Sequence, residues 1–321
     1  MSEKMRYGCS LKGMRSTLAD TLLEIGQKYE KAVVIDCETG TATNILDFRD
    51  TYPNRFVTMG VAEQNGLSFA FGVSRTGFIP IVPLFSAFMT RRACDQIFIQ
   101  IGYAKANVKM VGCYSGLTTP NTGATHQSVN DIAIIRSIPN ITVIETADPS
   151  ELRQALLAMM EIEGPVYVRM IRGDIKQYDK QWVPDDHKFE IGKSSVLRDG
   201  KDITLIGSGL MVSRCLEAAD ILAEKSIDAE VINLTAIKPF DTETVRKSVK
   251  KTGRAVTAEN HSVIGGVGSA VLEALCSDPV PVKMVGIEDK CGESGALEDL
   301  FEKYGLTTER VVAAALELMG K

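Results

Sequence analysis

The 321-residue chain has little of what several classes of protein require. Its formal net charge is −5 and it has no block of basic residues, so we do not expect it to bind nucleic acid. Its apolar runs are far shorter than the roughly 20 residues that span a bilayer, so we expect no transmembrane helix. The segment 1–13 lacks an apolar stretch followed by small residues, so we expect no secretory signal peptide.

Metal and nucleophile chemistry also have few candidate side chains. The three histidines, His126, His187 and His261, lie far apart with no second ligand at i+3 or i+4, so we expect no all-protein zinc site. The seven cysteines form no CxxC pair, which favours reduced, buried thiols in a cytoplasmic protein. Walker A and GxSxG motifs are absent. Two glycine segments, 207–213 and 265–269, do not complete GxGxxG, and we interpret them as tight strand-to-helix turns that could also hold an anion.

What the chain does contain is an alternation of short β-branched segments with longer amphipathic ones. Nearly uninterrupted apolar segments are typical of parallel strands that helices cover on both faces. Leu18, Leu22 and Ile25 recur at helical spacing. The alternation predicts an α/β fold with two domains, each a mainly parallel sheet flanked by helices. The predicted strands lie at 32–36, 79–84, 108–113, 141–144, 166–171, 203–206, 229–234, 255–258 and 282–285.

The two domains are predicted to meet at a polar segment. Residues 174–192 contain Pro184 and show no hydrophobic period, which indicates a linker. We predict a first domain at 1–178, a linker at 179–190 and a second domain at 191–321.

Glu63 is the first candidate for chemistry, because it begins a predicted helix with apolar flanks. An acid in the first turn of a helix complements the helix dipole by about 0.3–1 kcal/mol, and this effect alone could account for it. Phe85 and Phe88 follow in an apolar segment interrupted by proline. A carboxyl group beside aromatic side chains in a dry pocket can hold or share a proton near neutral pH. The residues themselves leave both interpretations open.

A second candidate is the polar segment 118–131, which follows an apolar predicted strand and carries His126. Loops at the carboxyl ends of strands are where α/β folds place their chemistry. A lone histidine in a loop is often structural, so this position alone leaves the role of His126 open.

Five segments resemble transketolases, and also deoxyxylulose-phosphate synthases, in order and spacing. They are GVAEQN at 60–65, the phenylalanine segment at 85–88, GATHQ at 123–127, SIPNITVIETADPSE at 137–151 and GPVYVRMIRG at 164–173. The stretch 203–241 is similar to the carboxy-terminal domain of the same family. The resemblance spans nearly the whole chain. It implies a thiamine diphosphate pyrimidine-binding fold followed by a transketolase carboxy-terminal fold.

Full-length members of that family carry an earlier domain whose GDG…N motif binds magnesium and the cofactor diphosphate, and this sequence contains no GDG. The resemblance therefore implies a separate carboxy-terminal subunit that shares its active site with an N-terminal subunit carrying the motif. It further implies thiamine diphosphate as cofactor, Mg²⁺ bound mainly by the partner, and a cytoplasmic α2β2 heterotetramer.

The resemblance also implies roles for individual residues. Glu63 resembles the family glutamate that hydrogen-bonds the ring nitrogen N1′ of the aminopyrimidine. Phe88 resembles the aromatic residue that stacks on that ring, with Phe85 beside it. His126 resembles the histidine that hydrogen-bonds the ketol oxygens of the donor. The guanidinium groups that hold the sugar phosphate correspond to Arg172 and Arg15.

Three positions depart from the family pattern. Thr122 stands where an aspartate usually precedes the histidine by four residues, Tyr114 where a phosphate-site histidine is usual, and Arg91 where a third aromatic residue lines the cofactor pocket. The loss of a carboxylate that binds a substrate hydroxyl changes which stereochemistry or branching is tolerated. These changes therefore concern the substrate more than the cofactor.

The main hypothesis is transfer of a two-carbon ketol unit between sugar phosphates. One alternative is a specialised transketolase for a branched substrate such as apulose 4-phosphate. Another is the beta subunit of a 2-oxo acid dehydrogenase, which shares the fold and length but against which the THQ segment argues. A third is a non-catalytic regulatory subunit, against which Glu63, Phe88, His126 and Arg172 argue.

Overall fold

A computed structural model describes residues 13–173 and 180–321 of the chain. Cys9 and the first part of the predicted linker lie outside these residues. The described strands are β1 Ala32–Asp36, β2 Phe56–Thr58, β3 Ile79–Phe85, β4 Lys109–Cys113, β5 Thr142–Glu145, β6 Val166–Arg169, β7 Ser195–Arg198, β8 Ile203–Gly207, β9 Ala229–Asn233, β10 Ala236–Lys238, β11 Ala255–Ser262 and β12 Val282–Ile287.

Helices connect most of these strands. The described α-helices are α1 Met14–Lys28, α2 Gly40–Thr43, α3 Leu46–Thr51, α4 Glu63–Arg75, α5 Cys94–Gln96, α6 Asp131–Ser137, α7 Pro149–Met160, α8 Met211–Glu224, α9 Thr242–Thr252, α10 Val267–Leu275, α11 Leu297–Lys303 and α12 Thr308–Leu318. A 3₁₀ turn covers Pro53–Arg55, and π-helical segments cover Phe88–Arg92 and Ile97–Tyr103.

The strands form two sheets, which confirms the predicted fold class. The first sheet has seven strands in the order β10-β5-β6-β4-β3-β1-β2, and β1 to β6 run parallel. The second has five strands in the order β12-β11-β8-β9-β7, all parallel except β7. Every residue of β1, β4, β6, β8 and β9 is buried, as expected for strands covered on both faces.

All nine predicted strands occur, although several boundaries differ by one to four residues. Three short strands were not predicted: β2, β7 and β10. Each is three or four residues long and lies at the edge of its sheet. Edge strands have one unpaired side and short apolar runs, so their sequences lack the signal of a central strand.

The two parts of the chain are joined by shared structure. Strand β10 follows β9 of the second sheet but pairs antiparallel with β5 of the first, with Ala236 opposite Ile144. Residues 180–194, which precede β7, contain no helix or extended strand. The predicted domain limits at 178 and 191 remain a prediction.

Among the helices of the described ranges, none combines the length and the apolar character needed to cross a membrane.

Candidate active site

The candidate site lies where two adjacent parallel strands end. Phe85 is the last residue of β3, and its register partner Cys113 is the last residue of β4. Parallel neighbours end at the same edge of a sheet, so the segments that follow them meet there. The chain after β3 carries Phe88, and the chain after β4 carries Tyr114 and His126.

Four predicted residues form one ring cluster at this edge. The Phe85 ring stacks on Tyr114 with centroids 4.2 Å apart and on Phe88 with centroids 5.6 Å apart. His126 meets Phe88 edge to face at 5.0 Å and Phe85 at 6.3 Å. Such pairs contribute about 0.5–1.5 kcal/mol beyond their burial. The structure therefore brings together the aromatic residues and the histidine that the sequence singled out.

Glu63 joins this cluster through an arginine. It is the first residue of α4, as predicted, and its side chain is only 2% exposed. Its Oε1 accepts a hydrogen bond from Arg92 Nη1 at 2.6 Å, and the Arg92 guanidinium lies 5.1 Å from the centre of the Phe88 ring. Its Oε2 is buried and has no hydrogen-bond partner in the described part of the chain. The sequence interpretation missed Arg92, because no periodic pattern in the sequence links it to Glu63.

A cationic side of the site surrounds Tyr114. Arg15 Nη1 donates to the Ala42 carbonyl at 3.0 Å and to the Tyr114 hydroxyl at 3.4 Å. The Tyr114 hydroxyl donates to the same carbonyl at 2.7 Å. The Arg172 guanidinium lies 5.8 Å from the Tyr114 ring centre. The two predicted arginines therefore flank the same residue, although they are 157 positions apart in the sequence.

The loop that carries His126 is held by polar contacts. His126 Nδ1 is 2.9 Å from the Thr125 hydroxyl, and the Thr125 carbonyl accepts from Arg91 Nη2 at 2.9 Å. The Thr122 hydroxyl donates to the Thr119 carbonyl at 3.2 Å within the same loop. Arg91 thus braces the loop next to His126, and burial lowers the pKa of Arg91.

The second glycine segment, between β11 and α10, binds a carboxyl group that the protein itself provides. The Glu259 carboxyl accepts from the backbone N–H groups of Val267 and Gly268 at 2.6 and 2.8 Å. Burial raises the pKa of Glu259 to about 8. His261, next to it, donates from Nδ1 to the Ser262 carbonyl at 2.7 Å, and burial lowers its pKa to about 4. Glu259 and His261 are buried near the end of β11, where His261 Nε2 also accepts from the Ala133 N–H of the first domain at 3.4 Å.

Within residues 13–173 and 180–321, no group of three His, Cys, Asp or Glu side chains could hold a metal ion.

Two family models together match almost the whole chain. The transketolase pyrimidine binding domain matches residues 12–177, and the transketolase C-terminal domain matches residues 192–311.

The matches to individual relatives cover nearly the full length of both this chain and the relative. The chain is 43% identical over 306 residues to the 6-deoxy-6-sulfo-D-fructose transketolase subunit SqwH of Clostridium sp. (strain MSTE9), covering 95% of this chain and 94% of the relative. It is 34% identical to one of the subunits of the apulose-4-phosphate transketolase of Phocaeicola vulgatus, covering 96% of this chain and 97% of that relative. A solved structure described as a split gene transketolase, inactive beta4 tetramer, is 39% identical with a TM-score of 0.86, covering 97% and 99%.

Proposed function

The chain belongs to the transketolase family, as the carboxy-terminal subunit of a split transketolase, and we propose that it transfers a two-carbon ketol unit between anionic sugars. We further propose that it does so with thiamine diphosphate in a site shared with a partner subunit. The observation that carries the proposal is the buried carboxyl of Glu63, whose Oε2 lacks a hydrogen-bond partner in the described chain and which lies beside the aromatic cluster.

These residues fit an aminopyrimidine ring. A buried polar atom left unpaired costs about 1–3 kcal/mol, and a ring nitrogen that shares a proton with Glu63 Oε2 would remove that cost. Phe88 offers an aromatic face, and Arg92 holds the other carboxylate oxygen and so fixes the orientation of the carboxyl group. When bound, thiamine diphosphate supplies the nucleophilic carbon that takes up the ketol unit. Glu63 would hold a proton at N1′, and Phe88 and Phe85 would orient the ring.

The substrate is proposed to bind from the side of His126 and the two arginines. His126 reaches the ketol oxygens by hydrogen bonding from its position against Phe88. Arg15 and Arg172, which flank Tyr114, bind the terminal anion of the sugar, and a planar guanidinium suits a phosphate or a sulfonate. Two relatives are named for a sulfosugar and a branched sugar phosphate, which supports a specialised substrate. Tyr114 and Thr122 are the proposed determinants of that choice.

Partner dependence is supported by the surface next to Glu63. Helix α4 packs against the π-helical segment Ile97–Tyr103. Both elements expose large apolar side chains, and so does Val61, which precedes α4. The members of this partner surface are Val61, Phe69, Phe98, Ile99 and Tyr103. The related solved structure of a split gene transketolase is described as an inactive beta4 tetramer. We propose an α2β2 assembly in which the partner binds Mg²⁺ and the diphosphate and covers this surface.

The test is reconstitution of the chain with an N-terminal transketolase subunit, thiamine diphosphate and Mg²⁺. Ketol transfer would be followed from xylulose 5-phosphate, from a branched ketose phosphate and from a 6-sulfonated ketose. Glu63→Gln is expected to lower turnover by about 10²–10⁴-fold, the usual contribution of a positioned acid–base group. Assembly measured by light scattering should be unchanged.

Glu224→Gln is the matched control, because Glu224 is exposed on α8, far along the chain from the site. Full activity of Glu63→Gln in an assembled complex would refute the role of Glu63. Release of carbon dioxide from pyruvate by the wild-type complex would instead favour a 2-oxo acid dehydrogenase.

A further inference from the structure

The loop between β4 and α6, residues 114–130, rests on the carboxy-terminal domain on both sides of His126. On one side, the Leu117 N–H donates to Asn260 Oδ1 at 3.1 Å. On the other, the Ser262 N–H donates to the Val129 carbonyl at 2.7 Å. Asn260 and Ser262 both belong to β11, so a single strand of the second sheet holds both ends of the loop.

A second segment of the carboxy-terminal domain, residues 291–295, contacts the middle of the loop. Gln127, the neighbour of His126, donates from Nε2 to the Glu293 carbonyl at 2.9 Å. The Gly295 N–H donates to the Pro120 carbonyl at 3.2 Å. These two bonds lie on opposite sides of His126 in the sequence, so the histidine is bracketed by contacts to another domain.

The close packing of the loop against the carboxy-terminal domain depends on three glycines, which have no side chain. A methyl group at Gly292 would overlap Gln127 Oε1, and one at Gly116 would overlap the amide of Asn260. A methyl group at Gly123 would lie 2.6 Å from the Ser294 hydroxyl. Gly116 and Gly123 also have positive φ, at 58° and 73°, which glycine adopts without strain. At these three glycines, the loop and the carboxy-terminal domain are packed too closely for a side chain to fit between them.

We propose that the carboxy-terminal domain is a positioning element of the active site, in which Asn260 and the segment 291–295 set the loop conformation that aims His126 at the ketose donor. This inference rests on the proposed function. Ordering a residue costs about 1–2 kcal/mol of backbone entropy, so a polar loop of this length needs external contacts to keep one conformation. Asn260 and Gly292 act through Leu117 and Gln127, and are positioning rather than catalytic residues.

Gly292→Ala tests the proposal from outside the loop. Gly292 does not have positive φ, so alanine introduces no backbone strain and acts through its overlap with Gln127. A misplacement of about 1 Å can lower a rate by about 10²-fold. We expect kcat/KM for the ketose donor to fall by about 10–100-fold in the reconstituted complex. Asn260→Ala, which removes the acceptor for Leu117, should act in the same direction.

Glu302→Ala is the matched control. Glu302 is exposed on α11, the helix that follows the segment 291–295, and lies outside that segment. The second readout is hydrogen–deuterium exchange of residues 114–130 in the full chain without substrate. We expect faster exchange in Gly292→Ala and Asn260→Ala, wild-type exchange in Glu302→Ala, and unchanged exchange of peptides from β1 and β3 in all three.

Unchanged exchange of the loop in both positioning variants would overturn the proposal, and so would faster exchange with an unchanged kcat/KM for the donor. A wild-type complex without ketol transfer would contradict the proposed function separately. In that case the exchange data still decide the structural part, since faster loop exchange in both variants supports positioning and unchanged exchange overturns it.

Discussion

At the scale of single residues, a buried charge cluster lies on strand β6 and helix α6, apart from the candidate residues. Arg169 on β6 donates from Nε to Asp131 at 2.8 Å and also pairs with Glu145, and all three side chains are at most 2% exposed. Arg169 Nη2 reaches the Asn260 carbonyl at 3.0 Å in the other domain. Burial opposes ionisation of Asp131, but Arg169 outweighs it and lowers the pKa of that carboxyl group.

Asp131→Asn should destabilise the protein by about 3–5 kcal/mol, because it leaves a buried guanidinium with one carboxylate fewer. The exposed pair Arg153–Glu24 provides the control, and Glu24→Gln should change the free energy of unfolding by less than about 1 kcal/mol. Urea unfolding of the full chain at pH 7 measures both. A change below about 1 kcal/mol for Asp131→Asn would show that Glu145 alone compensates Arg169.

The residues of the candidate site could be predicted where a short sequence motif contains the reactive side chain and also fixes its place in the fold. Glu63, Phe85, Phe88 and His126 were chosen from three short motifs, and the structure brings them together at one sheet edge. Arg92 was not predictable in the same way, because its contact with Glu63 depends on the π-helical path of the intervening chain. A pairing of this kind follows from three-dimensional packing and has no periodic signal.

At the scale of elements, residues 180–194 attach to the first domain through helix α7. The N–H groups of Trp182 and Val183 donate to Asp148, the residue that caps α7. His187 Nε2 lies 3.2 Å from Glu151 on the same helix, close enough for an ion pair. This pairing raises the pKa of His187, against the opposing effect of burial.

Three further groups lie near His187 and influence its charge or contact its ring. Asp148 and Asp186 also favour its charged form, and its Nδ1 is 3.5 Å from the Ser195 hydroxyl. Burial raises the pKa of Asp148 to about 6. Folding therefore disfavours the ionised form of Asp148. The free energy of unfolding decreases as pH rises from the pKa of Asp148 in the unfolded chain to its folded pKa of about 6. Asp148 is retained when His187 is replaced, but it interacts directly with His187, so a comparison of the two proteins measures the loss of both the Glu151 and the Asp148 interactions.

The stabilisation by His187 should consequently depend on pH. A folded pKa above the unfolded value of about 6.5 gives a contribution that is fully present below pH 6.5 and is lost as pH rises through the folded pKa. We expect His187→Gln to lower Tm more at pH 6 than at pH 9. Thermal unfolding of both proteins across this range measures it. An equal difference in Tm at the two pH values would contradict the role of the charged pair.

The strands differ in how well they can be predicted from their local sequence. The central strands are fully buried and largely apolar because helices cover both faces, and all of them were predicted. Strand β10 could not be predicted from local pattern, because its pairing with β5 joins residues about 90 positions apart. The burial of Glu259, likewise, depends on the backbone of α10 and not on its neighbours in sequence.

At the scale of the whole molecule, the distribution of exposed apolar residues is uneven. Val61 and Tyr103 are 75% and 76% exposed, and both belong to the partner surface beside Glu63. Large exposed apolar side chains that cluster on packed elements are typical of interaction surfaces. A partner that covers them would lie next to the buried Glu63, and this would join assembly to catalysis.

Ile99→Asp should weaken association with the N-terminal subunit by about 30-fold or more, since a central apolar contact typically contributes at least about 2 kcal/mol. The control is Leu272→Asp, which places the same charge on α10 at a residue with similar exposure, 43% against 50%. Sedimentation velocity of the mixed subunits measures affinity, and circular dichroism checks the fold of each variant. Equal affinities of the two variants for the partner would place the interface on another face, and the proposed sharing of the Glu63 site would fail with it.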